Sequence, residues 1–164
     1  MNPAQKGAAL LEGDQKTKAQ DASVPPWDTF PRPQKSVAQY TTQEVGQEGE
    51  HLAQVYLMRR GYDICETNWR IKSGEADIIA TEDGQEAVLV EVKTRLALGE
   101  KDPVMPELAV DADKRARYHK LALAYLGQHP EFSSVRFDVI AIVIIQERMA
   151  RLRHLVGAFS WDEG

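Results

Sequence analysis

The sequence predicts an α/β fold in which one mixed sheet of about five strands lies between helices, and three observations predict it. Two segments, beginning near residues 41 and 112, repeat apolar residues at helical spacing behind good N-caps. Two apolar runs of strand length flank a polar turn centred on Asp83-Gly84, a strong hairpin signal. After the second helix, Arg136 to Ile144 is almost continuously apolar, as expected of a strand buried on both faces. The order helix, three meandering strands, helix, strand, edge strand packs as three layers, α/β/α.

Residues 1–40 hold Pro3, Pro25, Pro26, Pro31 and Pro33 among Gln, Lys, Ser and Asp with little apolar periodicity, which predicts a disordered tail before a single domain at 41–164. Trp27 and Phe30 are the aromatic anchors that a docking segment in this tail would use. Composition bounds the rest. At 43% hydrophobic and 27% charged the chain reads as globular, and its longest apolar run, Val139 to Ile145, is too short to span a bilayer. The lone Cys65 excludes an internal disulfide, and together these features predict a cytoplasmic location. The net charge is −5, and the first forty residues hold five Lys/Arg and four Asp/Glu, so the predicted domain is more acidic still. That argues against indiscriminate binding of nucleic acid, which rests on a basic footprint.

In chain order, Thr41 and Glu44 form a capping box, and helix is expected to about Arg60, where Gly61 ends it. Val45, Gly49, Leu52, Ala53 and Tyr56 make its apolar stripe, with Glu50 at the border; on spacing alone Glu48 is an equal candidate for a functional carboxylate. Tyr62 to Arg70 reads as the first strand, with Trp69 as packing, and residues 71–74 turn the chain into the hairpin. Lys72 and Arg70 lie beside the charged end of that hairpin and are placed to meet phosphate.

On the hairpin, alternation puts Glu75 and Asp77 with Ile79, opposite Ala76 and Ile78, and puts Glu91 and Lys93 with Leu89. A two-residue loop would pair Asp77 with Val90, whereas a three-residue loop, Asp83-Gly84-Gln85, pairs Asp77 with Glu91; the odd-length loop is the one expected, with Gly84 supplying the unusual dihedral. Glu75, Asp77 and Glu91 then concentrate negative charge that Lys93 alone cannot neutralise. A cation among them relieves the repulsion, and oxygen-only ligands suit Mg²⁺ or Mn²⁺.

Residues 96–110 have no clear period and contain Gly99, Pro103 and Pro106, so they read as a loop leaving the charged end of the Glu91 strand, a candidate flap. Asp111 caps the second helix, whose stripe is Tyr118, Leu121, Ala122 and Tyr125 before Gly127; Lys114, Arg115, Arg117 and Lys120 crowd its early turns. A crossover through this helix makes the strand at 136–144 parallel to the Glu91 strand, and residues 151–156 add an antiparallel edge. The four histidines show no ligand spacing, and there is no Cys/His zinc cluster, phosphate-binding glycine loop or nucleophile elbow.

Asp77, thirteen intervening residues and Glu91-Val92-Lys93 resemble the D…E-x-K signature of restriction-endonuclease-like nucleases. More narrowly, Gly74-Glu75-Ala76-Asp77-Ile78-Ile79-Ala80 with Val90-Glu91-Val92-Lys93-Thr94-Arg95 is similar to the YraN-type family of uncharacterised bacterial proteins, with Ala76 where the family usually has Ile or Leu. Gly46, Glu50, Ala53, Tyr56 and Leu57 match that family's opening helix, and Asn68-Trp69-Arg70, Arg136-Phe137-Asp138 and Gly157-Ala158-Phe159 extend the resemblance over about 42–160.

The resemblance implies a restriction-endonuclease-like fold and metal-assisted hydrolysis of phosphodiesters in DNA or RNA, of a branched or single-stranded form. It implies that Asp77, Glu91 and Glu50 ligate Mg²⁺ or Mn²⁺, that Glu75 orients from nearby, and that Lys93 holds the attacking water or the phosphate. Lys114 matches a family lysine, and Tyr118 stands where some of these nucleases have a Gln-x-x-x-Tyr motif, here with Lys114 in place of Gln. Lys72, Arg95, Lys114 and Tyr118 are thus the nucleic-acid contacts it suggests. The competing classes are a non-catalytic nucleic-acid-binding module on the same fold, and a scaffold whose carboxylates cap an arginine-rich peptide.

Overall fold

The computed structural model describes residues 33–161. The stretch around Trp27 and Phe30 lies outside the described residues, as does nearly all of the expected tail. Its last residues do not: a short 3-10 turn at Val37–Gln39 buries Val37, whose N–H donates to the Glu147 carboxylate at 2.8 Å. One apolar side chain and one backbone donor thus find partners ahead of residue 41.

Helix α1 (Thr42–Arg59) starts at the capping box: the Glu44 N–H donates to Thr41 Oγ1, and the Thr41 N–H to Glu44 Oε2. It ends at Gly61, whose φ of 91° is in the left-handed region that favours glycine. Strands β1 (Asp63–Ile71), β2 (Gly74–Thr81) and β3 (Glu86–Leu96) form the meander, α2 (Ala112–Gln128) crosses over, and β4 (Ser134–Gln146) and β5 (Met149–Leu155) complete the sheet. The order is β1-β2-β3-β4-β5, with β3 and β4 parallel and every other pair antiparallel. Helix α2 runs through Gly127 to Gln128, one residue beyond the expected stop, and closes on the His129 N–H bonded to Tyr125 O. None of the described helices is long and apolar enough to cross a membrane.

Each face of the sheet carries its own core. Val45, Ala53 and Leu57 of α1 pack on Ile78, Ala80, Val88, Val90, Ile140 and Ile142. On the other face Tyr118, Leu121, Ala122 and Tyr125 of α2 pack on Ile79, Leu89, Phe137 and Val139. Trp69 stands edge-on to Tyr125 at 5.2 Å, in the packing role expected of it. Three layers follow because neither helix stripe nor either sheet face can remain in water.

A buried polar network ties β4 to its neighbours. Asp138 is 1% exposed and lies between Arg136 and His154, with the Gly157 N–H donating to it as well. Burial alone would raise its pKa, but hydrogen bonds from His154, Arg136 and Gly157 outweigh that and hold it below the ordinary value. Its stabilisation is present above the ordinary Asp range and is lost as pH falls through the lowered folded value. Sequence spacing hid this pair because its partners meet across strands.

Gly49 is where α1 comes closest to the sheet: a Cβ there would stand 1.7 Å from Thr94 Oγ1 and 2.6 Å from Thr94 Cβ. Gly49→Ala is therefore expected to destabilise by about 1–3 kcal/mol in urea denaturation, although alanine is the better helix former by about 1 kcal/mol. A neutral or stabilising result would show that the helix can move off β3 at no cost. Asp138→Ala removes the buried acceptor shared by a part-buried Arg and His, and a loss of about 3–5 kcal/mol is expected from the same measurement.

Candidate functional site

The β2–β3 ladder pairs Ile78 with Val90, Ile79 with Leu89 and Ala80 with Val88. Continued in one direction this register closes on Asp83-Gly84-Gln85, with Gly84 at φ 74° and Asp83 Oδ1 accepting from the Gln85 and Glu86 N–H groups. Continued in the other it sets Asp77 opposite Glu91, as the odd-length loop requires. The ladder stops one residue earlier, however, and the Val92 N–H donates to Asp77 Oδ2 at 2.8 Å instead.

Strict alternation also fails at Asp77. Ala76 packs with Ile79 on the α2 face and Ile78 packs on the α1 face, so the expectation that Ala76 and Ile78 share a face is corrected. The neighbouring strand is irregular at the same level. Asn68, between the paired residues Trp69↔Ala76 and Thr67↔Ile78, has φ 51°, a conformation that asparagine tolerates better than most residues. Asp77 stands at the boundary between the two faces, where it lines a cleft on each side.

The cleft on the α2 side, about 560 Å³, is lined by Arg70, Lys72, Glu75, Lys114, Arg117 and Tyr118 together with Asp77 and Glu91. On the α1 side a second cleft of about 620 Å³ is lined by Glu50, Thr94 and Arg95 with the same two carboxylates. Asp77 and Glu91 thus form a common floor. Burial, then the charges of Glu91, Glu50 and Glu75, push the Asp77 carboxyl up to about 7, against the opposing pull of the Val92 N–H. Glu50 is also raised, first by burial and then by Glu75, with a hydrogen bond from Asn68 working the other way.

The basic groups are distributed differently from the sequence expectation. Lys93 shares the Glu91 face, but its ammonium donates to the carbonyls of Glu107 and Ala109 at 2.8 Å each, so it clamps the loop at 97–111 and lines neither cleft. Lys114, from the first turns of α2, takes Glu91 Oε1, while the Tyr118 hydroxyl donates to Glu91 Oε2 at 2.6 Å. Burial and then the Glu91 charge raise the Tyr118 pKa, which keeps the hydroxyl a donor. Arg95 is held by Val104 O and Glu100, and Glu75 by Arg70 at 2.7 Å. Asn68 and Arg117 were not singled out from the sequence as site residues; an Asn next to a strand-terminal Trp-Arg was the available signal for the first.

Asp77 and Glu91 offer oxygen donors only, and they line the same two clefts with Glu50 and Glu75 nearby, so the pair fits a hard divalent cation in chemistry and in charge. Glu50, on the α1 side, is the third carboxylate of the expected set. Among the described residues no three His, Cys, Asp or Glu side chains converge into a ready metal cluster.

The three-layer fold and a carboxylate pair set by hairpin register, faced by basic groups from a crossover helix, define an α/β protein of restriction-endonuclease-like architecture. Residues 49–142 match the model of the uncharacterised protein family UPF0102, and the chain belongs to that family, the YraN-type family that its motifs resemble. It is 44% identical over 115 residues to a UPF0102 protein of Renibacterium salmoninarum, covering 70% of this chain and 94% of the relative. A UPF0102 protein of Geobacter sulfurreducens is 42% identical over 117 residues (71% and 88%), and one of Thermodesulfovibrio yellowstonii 43% over 118 (71% and 96%).

A carboxyl whose folded pKa lies above its unfolded value favours folding at low pH, and that contribution is lost as pH rises towards about 7. Asp77→Asn is therefore expected to raise the melting temperature most at pH 8, less at pH 5, where only the unfolded carboxyl has ionised, and little near pH 3, where both states hold the proton. The bound on the gain is about 4 kcal/mol, from 1.36 kcal/mol per pKa unit. Equal effects at all three pH values would mean that the folded pKa of Asp77 is not raised.

Proposed function

We propose that this protein is a metal-dependent nuclease that hydrolyses phosphodiester bonds of DNA or RNA. The observation that carries the reading is the sharing of Asp77 and Glu91 by two clefts, one with Arg70, Lys72, Lys114 and Arg117 around it. Carboxylates alone repel a polyanion. Carboxylates fringed by cations can hold a phosphate against a divalent ion.

Asp77 and Glu91 would hold the cation, with Glu50 reaching it from the α1 side. A bound Mg²⁺ or Mn²⁺ supplies positive charge to a developing phosphorane and lowers the pKa of a water. The protein's own groups do the rest. The Val92 N–H fixes the Asp77 carboxylate, Tyr118 orients Glu91, and Lys114 is the ammonium nearest the scissile position, free to exchange Glu91 for a phosphate oxygen. Lys93 can serve there only after giving up its two loop carbonyls.

Those two bonds, and the occupation of both Glu91 oxygens, favour the second reading, a nucleic-acid-binding module without cleavage. A panel of single-stranded, branched and duplex DNA and RNA separates the two. Cleavage is expected only with Mg²⁺ or Mn²⁺, falling roughly 10²-fold or more in Asp77→Asn and in Glu91→Gln while affinity changes much less. Lys114→Ala is expected to lower the rate at least as much as Lys93→Ala. Wild-type protein that binds but leaves the whole panel intact would replace the enzyme with the binding module.

A further inference from the structure

The two clefts that share Asp77 and Glu91 differ in charge. Around the α2-side cleft, Arg70 pairs with Glu75 and Lys114 with Glu91, while Lys72 and Arg117 are exposed and make no ion pair among the described residues. Around the α1-side cleft the sole cation among the described residues is Arg95, already bound to Glu100, against Glu50 and the shared carboxylates. One cleft therefore has positive charge to spare and the other has negative charge to spare.

Resting on the nuclease reading, we infer that the α2-side cleft seats one flexible polynucleotide strand, so that the substrate is single-stranded DNA or RNA and not a duplex. The phosphate chain lies along Lys72 and Arg117, with Lys114 between them and the carboxylates. Ile71, only partly buried, gives the same cleft apolar surface for a base or sugar.

Three features exclude the duplex. Glu91 is recessed, its side chain 13% exposed behind Lys114 and Tyr118, and the space in front of it is about 560 Å³. A strand that can bend enters such a recess, whereas B-DNA, with a persistence length of about 50 nm, keeps its phosphates on a stiff cylinder. Duplex binding also draws on many phosphate contacts, and here two uncommitted cations border the site of a chain whose net charge is −5. A second strand would meet acidic surface.

The test is fluorescence anisotropy with a labelled oligodeoxynucleotide and the matching oligoribonucleotide, each alone and as a blunt duplex, over one matched series of salt concentrations with Ca²⁺ replacing Mg²⁺. Single strands are expected to bind at least about tenfold tighter than the duplexes, and the stronger of the DNA and RNA arms names the sugar. Lys72→Ala with Arg117→Ala should weaken single-strand binding by about tenfold or more and flatten the salt dependence by about 1.4, at about 0.7 per lost contact. Arg151→Ala with Arg153→Ala, on exposed positions of β5, should change neither. Duplex binding as tight as single-strand binding, or indifference to the Lys72/Arg117 pair, would overturn the assignment. Single-strand binding without cleavage would remove the enzyme and leave this cleft; cleavage confined to duplex would do the opposite.

Discussion

Two carboxylates held at one point of a sheet by strand register repel each other, and much of the surrounding chain makes that repulsion tolerable. At an effective dielectric of about 20 the interaction of unit charges 4 Å apart is about 4 kcal/mol, a sizeable share of the stability of a domain this small. The chain answers it locally. Val92 gives a backbone N–H to Asp77, and α2 delivers an ammonium and a hydroxyl to Glu91. Burial, and then the neighbouring carboxylates, nevertheless push the Asp77 carboxyl up to about 7, so ionising it in the folded chain costs stability.

The helices are as much part of this arrangement as the hairpin. Helix α2 is anchored by Tyr118, Leu121, Ala122 and Tyr125 in the core, and its Asp111 cap accepts the Lys114 N–H at 2.8 Å, which fixes the turn from which the lysine side chain departs. Helix α1 can bring Glu50 to the other cleft only because Gly49, the next residue, lets it settle against Thr94. Alanine in that place would lift the glutamate away from the carboxylate pair along with the helix.

Features encoded within a few residues were legible in the sequence. The Thr41–Glu44 box, the Asp111 cap and the odd-length loop at Gly84 rest on local rules, and the register that sets Asp77 opposite Glu91 followed from them, although the ladder itself ends at Ile78 and Val90. What was not legible depends on distant partners. Lys93 and Lys114 are both cations near Glu91, and nothing in spacing says that one is drawn off by the carbonyls of Glu107 and Ala109 while the other reaches across. Alternation predicted the wrong partners for Ala76 because it assumes a regular strand, and the neighbouring strand departs from regular dihedrals at Asn68, φ 51°. Asp138 and His154 are sixteen residues apart and became a pair only through the β4–β5 register.

The Lys93 clamp is unlike the usual state of a loop beside a cleft. Closure over a substrate normally orders a flexible segment and costs conformational entropy. Here the segment at 97–111 is fastened beforehand by Lys93 and by Arg95, which holds Val104 O. Recruitment of either cation to a polyanion would unfasten it. Engagement would then loosen this part of the molecule, and the entropy regained by the released chain would offset part of the hydrogen bonding surrendered.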